Sequence, residues 1–185
     1  MRLGLYGGTF DPIHSGHCHL IQQLLERGIV DELVVVPVGN PWMKEREPFA
    51  SGLDRLRMIE LAVEGLPSDI RTRVRVSDTE IRRPGETYTI DTVLEIKKSR
   101  PEADVVLIMG SDAFSSIGNW HRSAELLKLV EVFVVAREGV GFDIDALTIS
   151  STMAREKIAD HEDVSNELPE SVWSYIQERN LYASK

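Results

Sequence analysis

Cysteine, aromatic residues and long apolar runs are scarce in this chain of 185 residues. The single cysteine, Cys18, excludes an intrachain disulfide and favours a reducing compartment, so we expect a cytoplasmic protein. No apolar run reaches the length that spans a bilayer, and no basic-then-apolar signal pattern is present at the start, so no membrane partner is expected. The net charge of −9 argues against nucleic-acid binding. A polyphosphate ligand would therefore have to meet local positive groups.

Strand and helix patterns alternate along the chain. Buried or half-buried strands are predicted at residues 3–6, 33–38, 73–76, 104–109 and 130–135. A strand, a helix and a second buried strand within roughly the first forty residues predict a right-handed βαβ unit. We therefore expect an α/β fold with a doubly wound, mostly parallel sheet. Residues 1–185 are expected to form a single domain whose C-terminal helical part covers about residues 150–182.

Several local details are also predicted. A helix over residues 51–64 should place Leu53 on its core face and both Arg55 and Arg57 on its wet side. Thr87 or Thr89 should cap a later helix, with or without a further role in substrate contact. Pro169 should occupy the first position of the last helix.

A glycine turn joins the first strand to the first helix, with the sequence Gly7-Gly8-Thr9-Phe10-Asp11-Pro12-Ile13-His14-Ser15-Gly16-His17. Strand, small-residue turn and helix together aim backbone N–H groups at an anion. The two histidines, three residues apart near the first helical turn, can donate to phosphate oxygens. The turn is neither a Walker A loop nor a dinucleotide fingerprint. Ordinary capping, or a metal site shared with His19, remains an alternative role for the histidines.

A second candidate anion site is the segment Ile149-Ser150-Ser151-Thr152-Met153-Ala154-Arg155. Hydroxyls open a helix there and an arginine follows one turn later, although a simple Ser/Thr cap would explain the hydroxyls alone. Gly110 and Asp112 follow a buried strand, where a carboxylate can accept from ribose hydroxyls or cap the next helix.

These segments closely resemble the nicotinate mononucleotide adenylyltransferases, members of the HxGH-type nucleotidyltransferase superfamily. The first turn matches the signature Gly-Gly-Thr-Phe-Asp-Pro-x-His-x-Gly-His, and the second segment matches Ile-Ser-Ser-Thr-x-x-Arg. The resemblance implies a Rossmann-like fold and a Mg²⁺ ion carried by the ATP phosphates, with no protein metal ligands. It implies catalytic roles for His14, His17, Lys44 and Arg155. It implies that ATP is bound by Gly7, Gly8, Thr9, Phe10, Gly16, Gly110, Asp112, Ile149, Ser151 and Thr152. It implies that the pyridine nucleotide is bound by Thr87, Tyr88, Thr89 and Trp120.

The activity implied by this resemblance is adenylyl transfer from ATP to nicotinate mononucleotide, giving nicotinate adenine dinucleotide and pyrophosphate. The alternatives are another phosphate acceptor, such as nicotinamide mononucleotide or phosphopantetheine, or a nucleotide-binding paralogue without turnover. A homo-oligomer is compatible with the sequence. One departure from the family is visible: the stretch from Arg137 to Thr148 is shorter than usual, which puts the second phosphate site in question.

Overall fold

The computed structural model describes residues 1–40, 47–135 and 148–183. The strands of its sheet are β1 (Arg2–Gly8), β2 (Glu32–Pro37), β3 (Val74–Val76), β4 (Asp104–Gly110) and β5 (Glu131–Val135). They lie in the order β3-β2-β1-β4-β5, and each neighbouring pair is parallel. The predicted parallel sheet is confirmed, and its strands lie within two residues of their predicted bounds.

Helices connect the strands and cover both faces of the sheet. They are α1 (Ser15–Glu26), α2 (Gly52–Glu64), α3 (Ser68–Arg71), α4 (Thr79–Arg82), α5 (Thr89–Ser99), α6 (Ser111–Ser115), α7 (Ser123–Leu129), α8 (Ser151–Ala159) and α9 (Glu170–Arg179). A 3₁₀ turn at Ile117–Asn119 separates α6 from α7. The first helix begins at Ser15 as predicted, and Gly28 follows its C-cap at φ +65°, a conformation that favours glycine.

Two hydrophobic cores form because β4 sends alternate side chains to opposite faces of the sheet. Val106 and Ile108 join the core under α1, α2, α8 and α9. Val105 and Leu107 join the other core, under α5 and α7. Helices on both faces of a parallel sheet confirm the doubly wound fold, and the C-terminal helix packs on the same core as the first two long helices.

The strand order reverses between β1 and β4, which are neighbours in the sheet but distant in sequence. The chain leaves β1 toward β2 on one side, whereas β4 continues toward β5 on the other. Gly8 and Gly110 stand at the carboxyl ends of these two central strands. A crevice outside this point is where doubly wound sheets bind ligands. In the described part of the chain, no helix has the length and apolar character needed to cross a bilayer.

Two predictions about α2 were wrong. Arg55 is 2% exposed rather than on the wet side, whereas Leu53 is 70% exposed rather than in the core. Arg55 lies three, four and seven residues before Met58, Ile59 and Ala62, which are all buried, so it belongs to the buried face of the helix. Its guanidinium is accommodated there because it donates to backbone carbonyl oxygens. Arg57 is on the wet side as predicted.

Two predictions about helix starts were also wrong. Tyr88 is the N-cap of α5 and makes no side-chain capping bond. The Thr87 hydroxyl donates to the carbonyl oxygen of Asn40 instead, at 3.2 Å, and Thr89 is already the first helical residue. Pro169 is the N-cap of α9 rather than its first residue, which is a shift of one position.

Candidate active site

The two histidines of the glycine turn cap α1 reciprocally. His14 is the N-cap, and its Nδ1 accepts from the backbone N–H of His17 at 3.3 Å. The Nδ1 of His17 accepts in turn from the backbone N–H of His14 at 3.1 Å. The two rings stack with centroids 3.6 Å apart and an interplanar angle of 28°. The capping alternative and the ligand-binding role therefore use different atoms of the same rings.

The capping bonds fix the tautomer of each neutral ring. An Nδ1 that accepts a hydrogen bond carries no proton, so the proton of the neutral imidazole lies on Nε2. Nε2–H is a donor at the far end of the ring from the helix backbone. His14 is buried, whereas His17 is half-buried and lines a cavity, so His17 is the ring placed to reach a ligand first.

A cavity of about 970 Å³ opens beside the glycine turn, and we call it the Arg155 cavity. Its lining includes nine residues that the sequence assigned to the site: Gly8, Thr9, Phe10, His17, Gly110, Asp112, Ser151, Thr152 and Arg155. Both predicted anion-binding turns therefore face one space, although the two turns are more than a hundred residues apart in the sequence.

The second anion turn has the structure that its sequence predicts. Ser150 is the N-cap of α8, and its hydroxyl accepts from the backbone N–H of Met153 at 3.1 Å. Arg155 donates to the Thr152 hydroxyl at 3.2 Å and to the carbonyl oxygen of Asp11 at 2.6 Å. Its guanidinium carbon also lies 4.6 Å from the centre of the Phe49 ring. Arg155 is thereby held against the first turn and beside a hydroxyl of its own helix.

A second cavity, of about 270 Å³, lies on the other side of the β1–β4 junction, and we call it the Trp120 cavity. The predicted site residues that line it are Gly7, Gly8, Thr9, Thr87, Tyr88, Thr89, Gly110 and Trp120. The Nε1–H of Trp120 is buried and has no hydrogen-bond partner among the described residues. The ring of His121 stacks on that of Tyr88, with centroids 4.1 Å apart. The cavity is thus a flat-walled space suited to an aromatic ring.

The two cavities meet at the carboxyl ends of the central strands. Gly8, Thr9, Gly110 and Ala113 line both of them. A Cβ added at Gly110 would meet no atom of the described residues within 4 Å, and the same holds for Gly7. These two glycines are therefore not required by the packing of the protein itself, and they leave room for a ligand at the junction.

Glu80 is a buried carboxyl group in the wall of the Trp120 cavity. Burial raises the pKa of Glu80, and this effect outweighs the hydrogen bond that it accepts from Thr92 at 2.8 Å. Gly39 is packed against the same segment, because a Cβ at Gly39 would lie 2.1 Å from the carbonyl oxygen of Glu80. Glu80 therefore lines the cavity and Gly39 packs against it, and neither was predicted to belong to the site.

Some predicted site residues stand apart from both cavities. Gly16 lies within the first turn of α1, and Ile149 is half-buried just before the cap of α8. Lys44 lies outside the described residues, as do 136–147, which hold most of the short stretch from Arg137 to Thr148. Across the described ranges, no group of three His, Cys, Asp or Glu side chains could hold a metal ion.

Sequence reasoning missed the roles of three residues that hold the glycine turn in place: Asp11 within the turn, and Arg55 and Tyr182 outside it. Asp11 is buried, and its carboxylate accepts from the hydroxyl of Tyr182 at 2.7 Å. Arg55 donates to the carbonyl oxygen of Thr9 at 2.8 Å. The helical spacing of Arg55 from buried residues was a usable signal. Asp11 lay within the signature, but nothing in the sequence around Tyr182 links it to that turn.

A doubly wound sheet with two helix-opening turns facing one cavity is an arrangement suited to binding the phosphates of a nucleotide. Accordingly, the model of the cytidylyltransferase-like family matches residues 5–157. The chain is 34% identical over 203 residues to a Dehalococcoides mccartyi protein named "Probable nicotinate-nucleotide adenylyltransferase", covering 98% of this chain and 97% of the relative. A Halalkalibacterium halodurans protein with the same name is 38% identical over 192 residues, covering 98% and 91%. This chain belongs to the nicotinate-nucleotide adenylyltransferase family.

The fold agrees with that of a solved nicotinic acid mononucleotide adenylyltransferase. The Plasmodium falciparum nicotinic acid mononucleotide adenylyltransferase complexed with NaAD superposes with a TM-score of 0.76. The match covers 98% of this chain and 97% of that one, at 21% identity. The similarity confirms the α/β nucleotidyltransferase fold, and the family assignment makes the protein an enzyme.

Proposed function

We propose that this protein transfers the adenylyl group of ATP to nicotinate mononucleotide, producing nicotinate adenine dinucleotide and pyrophosphate. The observation that carries the proposal is the junction of two different cavities at Gly8, Thr9 and Gly110. One cavity presents cationic and hydroxyl donors, and the other presents aromatic walls. A reaction that joins a polyphosphate to an aromatic nucleotide needs both, with the reacting atoms where they meet.

The Arg155 cavity would hold ATP. Nε2–H of His17, and of His14 behind it, would donate to phosphate oxygens at the start of α1. Arg155, together with the Ser151 and Thr152 segment, would bind the β- and γ-phosphates, where the leaving pyrophosphate gathers charge. Asp112 lines the same cavity beyond Gly110 and would accept from the adenosine ribose. Lys44 is proposed as a further phosphate ligand on the sequence resemblance alone.

The chemistry requires positioning rather than proton removal. A 5′-phosphate oxygen of the mononucleotide forms a bond to the α-phosphorus of ATP, and the bond from that phosphorus to the oxygen bridging to the β-phosphate breaks. The nucleophile is already an anion at pH 7, so no general base is required. The protein would align the two anions and stabilise the spreading charge with fixed donors. Magnesium would enter as part of the Mg-ATP substrate and neutralise phosphate charge.

The Trp120 cavity would hold the pyridine nucleotide. Trp120 would stack on the pyridine ring, and the segment from Thr87 to Thr89 would border its carboxylate. A carboxylate needs donors, whereas an amide also needs an acceptor, so main-chain N–H groups on this wall would favour the acid form of the ring. A cytoplasmic location and a single domain over residues 1–185 complete the proposal.

The experiment is a measurement of pyrophosphate release with Mg-ATP and three acceptors tested in parallel: nicotinate mononucleotide, nicotinamide mononucleotide and phosphopantetheine. The expected result is turnover with the nicotinate compound at least tenfold faster than with the others, since one hydrogen-bonded substrate group commonly discriminates by that factor or more. A preference for either other acceptor would contradict the assignment of the Trp120 cavity. Absence of turnover with all three would contradict the proposed reaction.

A further inference from the structure

Three carbonyl oxygens of the glycine turn accept hydrogen bonds from side chains of other elements. The carbonyl of Thr9 accepts from Nη1 of Arg55 at 2.8 Å. The carbonyl of Asp11 accepts from Nη1 of Arg155 at 2.6 Å, and that of Pro12 accepts from the Ser151 hydroxyl at 2.9 Å. These three anchors fix the orientation of the peptide groups that follow Thr9, Asp11 and Pro12.

The orientation of one peptide group follows directly from its planarity. The carbonyl of Thr9 and the N–H of Phe10 belong to the same planar peptide unit and point to opposite sides of the chain. Thr9 and Phe10 line the Arg155 cavity, whereas Arg55 is buried and is not among the described residues that line it. A carbonyl held by Arg55 therefore turns the N–H of Phe10 toward the cavity.

This conformation needs support from its surroundings. Phe10 has a φ of 49°, in the left-handed region that a phenylalanine rarely adopts. Such a residue costs on the order of 1–3 kcal/mol and persists only where neighbouring contacts enforce it. The Arg55 guanidinium supplies one such contact, and it stays in the core although burial lowers its pKa.

Asp11 links the turn to the far end of the chain. Its carboxylate accepts from the backbone N–H groups of Phe49 and Ala50 at 2.7 and 3.1 Å, and from the Tyr182 hydroxyl at 2.7 Å. Burial and the neighbouring Asp11 both raise the pKa of Tyr182, so its hydroxyl remains a donor. Tyr182 also lines the Arg155 cavity.

We propose that Arg55 and Tyr182 are positioning residues for adenylyl transfer. Arg55, by holding the carbonyl of Thr9, directs the N–H of Phe10 toward the phosphoryl group that is being transferred. Tyr182, acting through Asp11, fixes the carbonyl that holds Arg155 in place. This inference rests on the proposed function, because it assigns roles within that reaction. Neither side chain is expected to touch the reacting atoms.

The test for Tyr182 has a matched control within the chain. Tyr182→Phe removes only the hydroxyl that donates to Asp11. Tyr175→Phe removes an equivalent hydroxyl, which donates to Asp54 at 2.8 Å. Neither Tyr175 nor Asp54 is among the described residues that line the two cavities. We expect kcat/KM for ATP to fall about tenfold in Tyr182→Phe and to stay within about twofold in Tyr175→Phe. The KM for nicotinate mononucleotide should be unchanged in both variants.

Arg55→Lys is the second variant, with Arg57→Lys as its exposed control. Lysine keeps the charge but not the forked donors that reach Thr9 and Ala50. We expect kcat at saturating substrates to fall about tenfold or more for Arg55→Lys alone. Kinetics are measured below the melting temperature of each variant, and an unchanged kcat for Arg55→Lys would contradict its positioning role.

The outcomes separate the two proposals. An inactive wild type contradicts the proposed function itself. An active wild type with equal kinetics for Tyr182→Phe and Tyr175→Phe contradicts the positioning role. A Tyr182→Phe variant that loses affinity for both substrates together with melting temperature also contradicts it, because a purely structural hydroxyl would behave in this way.

Discussion

The imidazole rings of His14 and His17 lie face to face, with centroids 3.6 Å apart, because each Nδ1 accepts the backbone N–H of the other residue. One pair of side chains thus caps α1 and orients two Nε2–H donors. Stability and ligand binding are assigned to different nitrogens of the same ring, so substitutions can separate them.

The first prediction uses this separation at His17. In His17→Asn, the amide oxygen can replace Nδ1 as the capping acceptor, but nothing replaces Nε2–H. In His17→Gln, the amide nitrogen can replace the distal donor, but the capping acceptor is lost. We expect the Asn variant to keep its melting temperature and lose about a hundredfold in kcat. The Gln variant should lose about 1 kcal/mol of stability and retain more activity.

This prediction is tested by thermal denaturation and steady-state kinetics of the two variants, with His17→Ala measured for comparison. Equal activity in Asn and Gln variants would contradict the assignment of Nε2 as the donor. A melting temperature of the Asn variant as low as that of the Ala variant would contradict the capping role.

The second prediction concerns three glycines that differ in what surrounds them. Gly7→Ala and Gly110→Ala place a methyl group beside the cavities, where no atom of the part of the chain that the structure describes lies within 4 Å. These variants should fold normally but raise the KM for substrates about tenfold or more, because the methyl group occupies ligand space. Gly39→Ala places its methyl group 2.1 Å from the carbonyl oxygen of Glu80 and should lower the melting temperature. Normal substrate affinity in both cavity variants would show that ligands bind elsewhere.

The third prediction is a pH dependence of stability due to Glu80. Burial raises the pKa of its carboxyl above the ordinary value of 4.5, so the folded chain holds this proton at higher pH than the unfolded chain does. The protonated Glu80 carboxyl therefore favours the folded chain, and this contribution to the free energy of unfolding is fully present below pH 4.5. It is lost as the pH rises through the raised pKa of the folded chain. Glu80→Gln cannot ionise and keeps an acceptor for Thr92. Its melting temperature relative to the wild type should rise with pH across this window and then level off; a difference that falls with pH would contradict the account.

The fourth prediction concerns selectivity of the two cavities for their substrates. Trp120→Ala should raise the KM for nicotinate mononucleotide on the order of tenfold, the loss expected for one stacked aromatic ring. The KM for ATP should stay within about twofold, because the described residues that line the Arg155 cavity do not include Trp120. Trp120→Phe serves as the conservative control and should recover most of the affinity. Equal effects on both substrates would indicate a general packing role instead.

Much of the fold could be predicted from the sequence because its signals are local. Continuous apolar runs such as Val105–Ile108 predict buried parallel strands, and helical spacing after His17 predicts α1. The two anion turns carry their own signature in adjacent residues. That the two turns face one cavity is a finding of the structure.

The missed features depend on contacts that no local pattern encodes. Tyr182 reaches Asp11 across the whole chain. The Thr87 hydroxyl donates to the carbonyl oxygen of Asn40, and Thr87 lies one residue before Tyr88, the N-cap of α5. The charge of Arg55 predicts a position on the surface, although its helical spacing from Met58 and Ile59 indicates a buried one. Charge outweighed periodicity in that prediction, and the carbonyl of Thr9 explains why burial is tolerated.

The central claim is that the two cavities join ATP to a pyridine nucleotide in its acid form. Its most direct test is to identify the dinucleotide made from an equimolar mixture of nicotinate and nicotinamide mononucleotides with Mg-ATP. The account predicts that nicotinate adenine dinucleotide accumulates in step with pyrophosphate and well ahead of the amide product. Predominant formation of the amide dinucleotide, or ATP consumption without any dinucleotide, would contradict it.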